Sequence, residues 1–199
     1  MTIKAVYFDF GGVISRTEFQ APRQHLAESL GMEYDDLDKL VFASESSKRA
    51  SIGEISEEDH WQAVMRRLRR PVAELERVRD QFFAGDITDR DLLTFLRSLR
   101  PRYKVGLISN AWSGLRAWIE SQKFEDAFDI MIISAEVGMM KPEAGIYRLA
   151  LEKLDVAPAE AVFVDDFPEN VEGARAVGMQ AIRFTERERT LKELAHLLR

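Results

Sequence analysis

Five short runs of apolar, β-branched-rich residues, at 3–9, 104–109, 129–134, 161–165 and 180–184, are separated by stretches of helical periodicity. In Val105-Gly106-Leu107-Ile108 and Ala161-Val162-Phe163-Val164 the apolarity is continuous, so neither face of the strand is suited to water. Strands of that kind are stable when helices cover both sides, as in a parallel sheet with crossover connections. The pattern predicts an α/β fold with a three-layer core around a five-stranded parallel sheet. Core helices are expected near 89–99, 113–122, 143–154, 168–177 and 188–198. Pro142 and Pro168 suit first-turn positions, and Gly178 suits the left-handed residue that follows a helix end.

Between the first strand and Asp89 the period is helical and no strand is convincing. Helices are expected over 21–30, 35–46, 57–69 and 72–84. Ser56-Glu57-Glu58-Asp59 forms a capping-box-like start for the third, and residues 51–55 form a joint between helix pairs. The resulting organisation is a core of residues 1–15 and 88–199 with an all-helical insertion at 16–87. An insertion that leaves the sheet just after the first strand emerges beside that strand's carboxyl end, where it is placed to act as a lid.

The 199 residues are 46% hydrophobic and 31% charged, ordinary for a globular chain, and no segment reaches the roughly 20 apolar residues of a membrane span. Met1-Thr2-Ile3-Lys4 runs straight into the first strand, so a cytoplasmic protein without a leader or membrane partner is expected. The absence of cysteine excludes disulfides, thiolate metal sites and thiol nucleophiles. A net charge of −6 disfavours nucleic acid as a partner. The run Arg66-Arg67-Leu68-Arg69-Arg70 reads as the solvated end of a helix, where the dipole favours cations.

Polar residues collect at the ends of the predicted strands. Asp9 follows the first strand and faces Gly11-Gly12; Ser109-Asn110 ends the second; Asp165-Asp166 ends the fourth; Lys141 precedes a helix. Each alone is an ordinary turn former, cap or surface residue. Open α/β sheets bind ligands along this rim, however, and an aspartate there can attack phosphorus. Phosphoryl transfer needs such a carboxylate, donors for the phosphate oxygens, a fixed cation and a divalent metal on hard oxygens. Several close carboxylates are costly without a bound cation, which points to Mg²⁺. A lysine at the positive end of a helix dipole likewise calls for an anionic partner.

Phe8-Asp9-Phe10-Gly11-Gly12-Val13-Ile14, Leu107-Ile108-Ser109-Asn110, Gly138-Met139-Met140-Lys141-Pro142-Glu143 and Val164-Asp165-Asp166-Phe167-Pro168-Glu169-Asn170 resemble, in order and spacing, the four motifs of the haloacid dehalogenase-like hydrolases. The resemblance is to the branch with a Rossmann-like core and a helical cap inserted after the first motif. It implies that Asp9 is the nucleophile and that Lys141 neutralises the phosphate, which is bound with Gly11, Gly12, Ser109 and the backbone of Asn110. It further implies Mg²⁺ on Asp9, the Gly11 carbonyl, Asp166 and Asp165, with Asn170 orienting the acidic loop. The implied partner is a small phosphorylated metabolite, and the implied assembly a monomer or homodimer.

Gly11 stands where phosphatases of this family usually carry a second aspartate as general acid and base, help worth about 10²–10⁴-fold. An Asp-Phe-Gly-Gly-Val first motif is similar to that of bacterial sugar-phosphate phosphatases, including those acting on α-D-glucose 1-phosphate. The resemblance thus implies a Mg²⁺-dependent phosphatase of small phosphomonoesters. Alternatives are a phosphometabolite-binding protein with little catalysis and, below it, a 2-haloacid dehalogenase, which would carry neutral residues at Asp165-Asp166. His25, His60 and His196 read as surface or packing residues. Trp118 reads as core, whereas Trp112 is open between packing and substrate stacking. Ser15, Arg16, Glu18 and Phe19, and Glu45, Lys48 and Arg49 in the insertion, are further candidates for substrate contact.

Overall fold

The computed structural model describes residues 2–100 and 102–198. In chain order the elements are β1 (Ala5–Phe8), β2 (Ser15–Thr17), α1 (Ala21–Ser29), α2 (Tyr34–Phe42), α3 (Glu45–Ser51), α4 (Glu57–Leu68), α5 (Leu75–Phe83), β3 (Asp86–Thr88), α6 (Arg90–Leu99), β4 (Lys104–Ser109), α7 (Leu115–Ser121), β5 (Ile130–Ile133), α8 (Ser134–Val137), α9 (Ala144–Leu154), β6 (Ala161–Asp165), α10 (Pro168–Ala176), β7 (Gln180–Arg183) and α11 (Arg187–Leu197). Five strands form one parallel sheet in the order β5-β4-β1-β6-β7, as the apolar runs predict. Strand alternation sends Val6, Phe8, Val105, Leu107, Val162 and Val164 to one face, against Leu92 and Leu96 of α6 and Leu194 of α11. Ala5, Tyr7, Ile108 and Phe163 face the other side, against Ile146, Tyr147 and Ala150 of α9 and Val171 of α10. Two apolar layers on one sheet explain why its strands lack a polar face.

Helices α1, α2, α4 and α5 bury a third apolar cluster, which includes Leu26, Leu37, Trp61, Val64, Met65 and Phe82. On α4 the capping box of Ser56 and Asp59 is present, and Arg66 and Arg67 occupy the last turn, so the basic run is a helix end. The expected 35–46 helix is in fact two. Ser44 starts α3 by accepting a hydrogen bond from the Ser47 N–H, and a residue that caps a new helix cannot continue the old one. Two short strands also lie in the stretch read as strandless: β2 and β3 pair antiparallel, Ser15 with Thr88 and Thr17 with Asp86. Pro142 lies outside α9, whose N-cap is Glu143. Pro168 opens α10, and Gly178 follows it at φ +93°.

The β2–β3 ribbon is where the chain leaves and re-enters the sheet region. Asp89 fastens its base: the carboxylate caps α6 at Leu92 N–H (2.9 Å) and pairs with Arg16 of β2 (3.1 Å) and Arg187 of α11 (2.8 Å). Above it, buried Arg23 bonds Asp38, Asp86 and the Phe82 carbonyl, with its guanidinium 4.0 Å from the Phe82 ring centre. No helix among the described residues is long and apolar enough to cross a membrane.

Candidate active site

Strands β4, β1 and β6 lie side by side, with Phe8 in register with Leu107 and with Val164. Asp9, one residue past β1, therefore stands level with Asp165, and Ser109 ends the other neighbouring strand. All three are buried. The Asp9 N–H still bonds the Val164 carbonyl, at 2.9 Å, so the nucleophile candidate is held by the sheet and not by a free loop.

Lys141 arrives from the loop before α9. Its backbone is gripped on both sides of the Cα by the Asn110 side chain: the Lys141 N–H donates to Asn110 Oδ1 (2.7 Å), and Asn110 Nδ2 donates to the Lys141 carbonyl (2.8 Å). Its side chain is fully buried, with Nζ 2.8 Å from Asp9 Oδ1 and 2.6 Å from Asp165 Oδ2. These are the anions that a lysine at this place requires.

Asp165 has its oxygens committed. Oδ2 accepts from Lys141, Oδ1 accepts from the Phe167 N–H (2.8 Å), and Asn170 Nδ2 reaches both, at 3.0 and 3.1 Å. Asn170 is fixed from behind by the Tyr147 hydroxyl, which donates to its carbonyl at 2.8 Å. Asp166 differs: its Oδ1 is buried without a hydrogen-bond partner among the described residues. Gly12, at φ +75°, lies directly against it, and an ideal Cβ there would sit 2.2 Å from Asp166 Oδ2. At Gly11 a Cβ would meet nothing within 4 Å.

One oxygen from each of Asp9, Asp165 and Asp166 lies within 4.8 Å of the others. Burial pushes the Asp9 carboxyl up to about 7, with the Lys141 charge opposing and the Asp165 charge adding. Burial, and then the Asp165 charge, also raise Asp166. Three acids share one lysine, and a buried carboxylate oxygen has no donor; a hard divalent cation fits both facts.

Ser15 lies beside the glycine turn, its carbonyl accepting from the Gly12 N–H at 2.9 Å, whereas two other candidates have partners of their own. Arg16 is engaged by Glu18, Asp89 and the Val13 carbonyl, and Arg49 pairs with Glu54. Neither arginine bonds the acidic cluster. His25 and His196 are exposed. His60 is buried, with Ser46 Oγ 2.9 Å from its Nδ1, and burial lowers its pKa to about 4. Trp118, expected in the core, is 40% exposed, edge-on to Phe10 and Phe124.

The contacts least visible in the sequence join the insertion to the sheet. Trp112, two residues beyond Asn110, lodges among Phe42, His60 and Trp61 of the inserted helices, with ring centres 5.9, 4.4 and 6.1 Å away. Beside it the Gly114 N–H donates to Glu57 Oε2 (3.0 Å) and the Glu57 N–H to Ser113 Oγ (3.3 Å). A tryptophan just after a strand end was a visible signal, but its partners lie 50 to 70 residues upstream in the chain.

The family model described as haloacid dehalogenase-like hydrolase matches residues 3–178. The chain is 29% identical over 199 residues to a sesquiterpene phosphatase of Aspergillus oryzae, covering 99% of this chain and 97% of that protein. It is 28% identical over 185 residues to a phosphorylated carbohydrates phosphatase of Thermotoga maritima, covering 90% and 84%. Its fold is similar to that of a haloacid dehalogenase family enzyme from Bacteroides thetaiotaomicron crystallised with magnesium and inorganic phosphate. That likeness has a TM-score of 0.81 at 21% identity, over 99% of this chain and 100% of the other. With a family match across nearly the whole chain and the motif residues gathered on one sheet rim, the protein belongs to the haloacid dehalogenase-like hydrolases.

Proposed function

We propose that this hydrolase is a Mg²⁺-dependent phosphatase of small phosphomonoesters, with sugar phosphates the favoured class, and that it works through an aspartyl-phosphate on Asp9. The observation that carries this reading is Asp9 at the end of β1, 2.8 Å from Lys141 Nζ and within 4.8 Å of two further carboxylates. Asp9 attacks phosphorus, the bond from phosphorus to the ester oxygen breaks, and the alcohol leaves after gaining a proton. Water then attacks the aspartyl-phosphate, the bond from phosphorus to the Asp9 oxygen breaks, and inorganic phosphate is released.

Lys141 holds Asp9 in place and offsets phosphate charge, while Asp165 and Asn170 keep the lysine aimed. Ser109 and the backbone of Asn110 bind the phosphate oxygens, together with Gly11 and Gly12. Asp166, Asp9 and the Gly11 carbonyl are the groups suited to hold the metal. Asp165, whose oxygens are taken, supports them from behind. When bound, Mg²⁺ would neutralise the anionic site and let a phosphate approach the carboxylate. Residues 16–87 form the cap, which covers the site and limits substrates to small molecules.

Gly11 supplies no acid, so esters with good leaving groups, such as an anomeric sugar phosphate, are favoured. A second reading, phosphate esters with an apolar tail, has support from the sesquiterpene phosphatase relative and from Phe42, 46% exposed where it stacks on Trp112. A panel containing glucose 1-phosphate, glucose 6-phosphate, farnesyl phosphate, an activated aryl phosphate and 2-chloropropionate, assayed with Mg²⁺ and with EDTA, tests both. Mg²⁺-dependent phosphate release, lost in Asp9→Asn, is expected. Metal-independent halide release would establish a dehalogenase instead, and no turnover even of the aryl phosphate would leave a phosphate-binding protein.

A further inference from the structure

We propose that the loop 109–114 couples the seating of the helical insertion to the placement of Lys141, with Trp112 as the positioning residue. The inference rests on the reading of Asp9 and Lys141 given above. The forward half of the loop is committed to the lysine: the Asn110 amide bonds the N–H and the carbonyl of Lys141, at 2.7 and 2.8 Å, and so fixes the two peptide groups on either side of the Lys141 Cα. Its rear half is committed to the insertion. Trp112 stacks on Phe42 at an interplanar angle of 21° and touches His60, and Gly114 and Ser113 bond Glu57 at the start of α4.

A second connection meets the same loop. Gly53, at φ +75°, brings the chain after α3 so close to Ala135 that a Cβ would lie 2.2 Å from its carbonyl oxygen. Ala135 N–H in turn donates to the Ala111 carbonyl (3.3 Å), and Ser134 Oγ accepts from the Ala111 N–H (3.0 Å). Both paths from the insertion therefore converge on residues 111–114, next to Asn110.

If the insertion rocks away, Trp112 either follows it or is withdrawn from its seat. Withdrawal exposes the part of the indole face that is packed on Phe42, His60 and Trp61, so following is the cheaper course. A displacement of about 1 Å at Asn110 then lengthens both bonds to the Lys141 backbone beyond hydrogen-bonding range. Lys141 Nζ is correctly placed only when the insertion is seated, so substrate closure and assembly of the acid–lysine cluster are one event.

The test uses the full chain and four proteins: wild type, Trp112→Ala, Trp112→Phe and Glu57→Ala. Amide hydrogen exchange is read at Lys141 and Gly114, and kcat and KM are measured with p-nitrophenyl phosphate and Mg²⁺. Trp112→Ala should speed Lys141 amide exchange at least about tenfold and lower kcat about 10- to 100-fold, with KM changing less than kcat. Trp112→Phe should restore both to within about threefold of wild type. The coupling is overturned if Trp112→Ala frees the Gly114 amide while Lys141 exchange and kcat stay within about twofold. Should Trp112→Ala fail to fold, Glu57→Ala decides: faster Lys141 exchange supports the coupling, and unchanged exchange overturns it. If wild type hydrolyses no ester, the phosphatase reading fails, yet the exchange at Lys141 still decides the mechanical claim.

Discussion

Two adjacent glycines give the site its sharpest test, because one methyl group should be harmful at Gly12 and harmless at Gly11. At Gly12 an added Cβ lies 2.2 Å from Asp166 Oδ2 and 2.4 Å from its Cγ, on a backbone with φ +75°. Relieving the overlap requires the carboxylate to retreat by about 1 Å, a misplacement that costs roughly 100-fold in rate. If Asp166 holds the metal as proposed, moving its oxygen by that much should also raise the Mg²⁺ concentration for half-saturation about 10- to 100-fold. The left-handed backbone adds about 1–2 kcal/mol of destabilisation. At Gly11 the same methyl meets nothing within 4 Å and φ is not positive, so the metal response should stay within about twofold of wild type and the stability within about 0.5 kcal/mol. Isothermal titration with Mg²⁺ and urea denaturation of Gly12→Ala and Gly11→Ala read both quantities. Equal Mg²⁺ responses in the two variants would refute the assignment of Asp166 as a metal-holding group positioned by Gly12.

Lys141→Met keeps the side-chain bulk but leaves Asp9 and Asp165 buried without their cation; a loss of about 3–5 kcal/mol at pH 7 by urea denaturation is expected, and a loss below 1 kcal/mol would show the pair to be compensated otherwise. Gly11→Asp should raise kcat/KM for alkyl phosphates more than for aryl phosphates by at least about tenfold, since only poor leaving groups need the proton; equal gains would place the rate limit elsewhere. His60, buried and lowered to about 4, is neutral in the fold, so its contribution is fully present above the ordinary value near 6.5 and lost as pH falls from there toward 4. Urea midpoints at pH 7 and pH 4.5 should show wild type losing about 2 kcal/mol more than His60→Gln over that interval, whereas parallel losses would mean that His60 takes up its proton without cost.

Local patterning determined the sheet and most helices. Apolar runs such as Ala161–Val164 have no polar face, and that property survives in any fold they enter. The same holds for the capping box at Ser56 and for Gly178, whose preferences concern only nearest neighbours. The acids and the lysine were legible too, because a polar residue at the carboxyl end of a buried strand has few places to go. The β2–β3 ribbon was not: Ser15-Arg16-Thr17 is too short and polar for a two-residue period to register, and it is a strand only because Asp86–Thr88 returns beside it. Nor could the chain alone divide labour within Asp165-Asp166. Adjacent identical side chains differ here because Lys141 and Asn170 converge on one of them and Gly12 on the other. The seat of Trp112 is likewise a tertiary fact, since its partners come from α2 and α4 and meet it only once the insertion has folded against the sheet. Sequence set which groups reach the rim, through short-range preferences; contacts between distant segments decided which oxygen faces which cation.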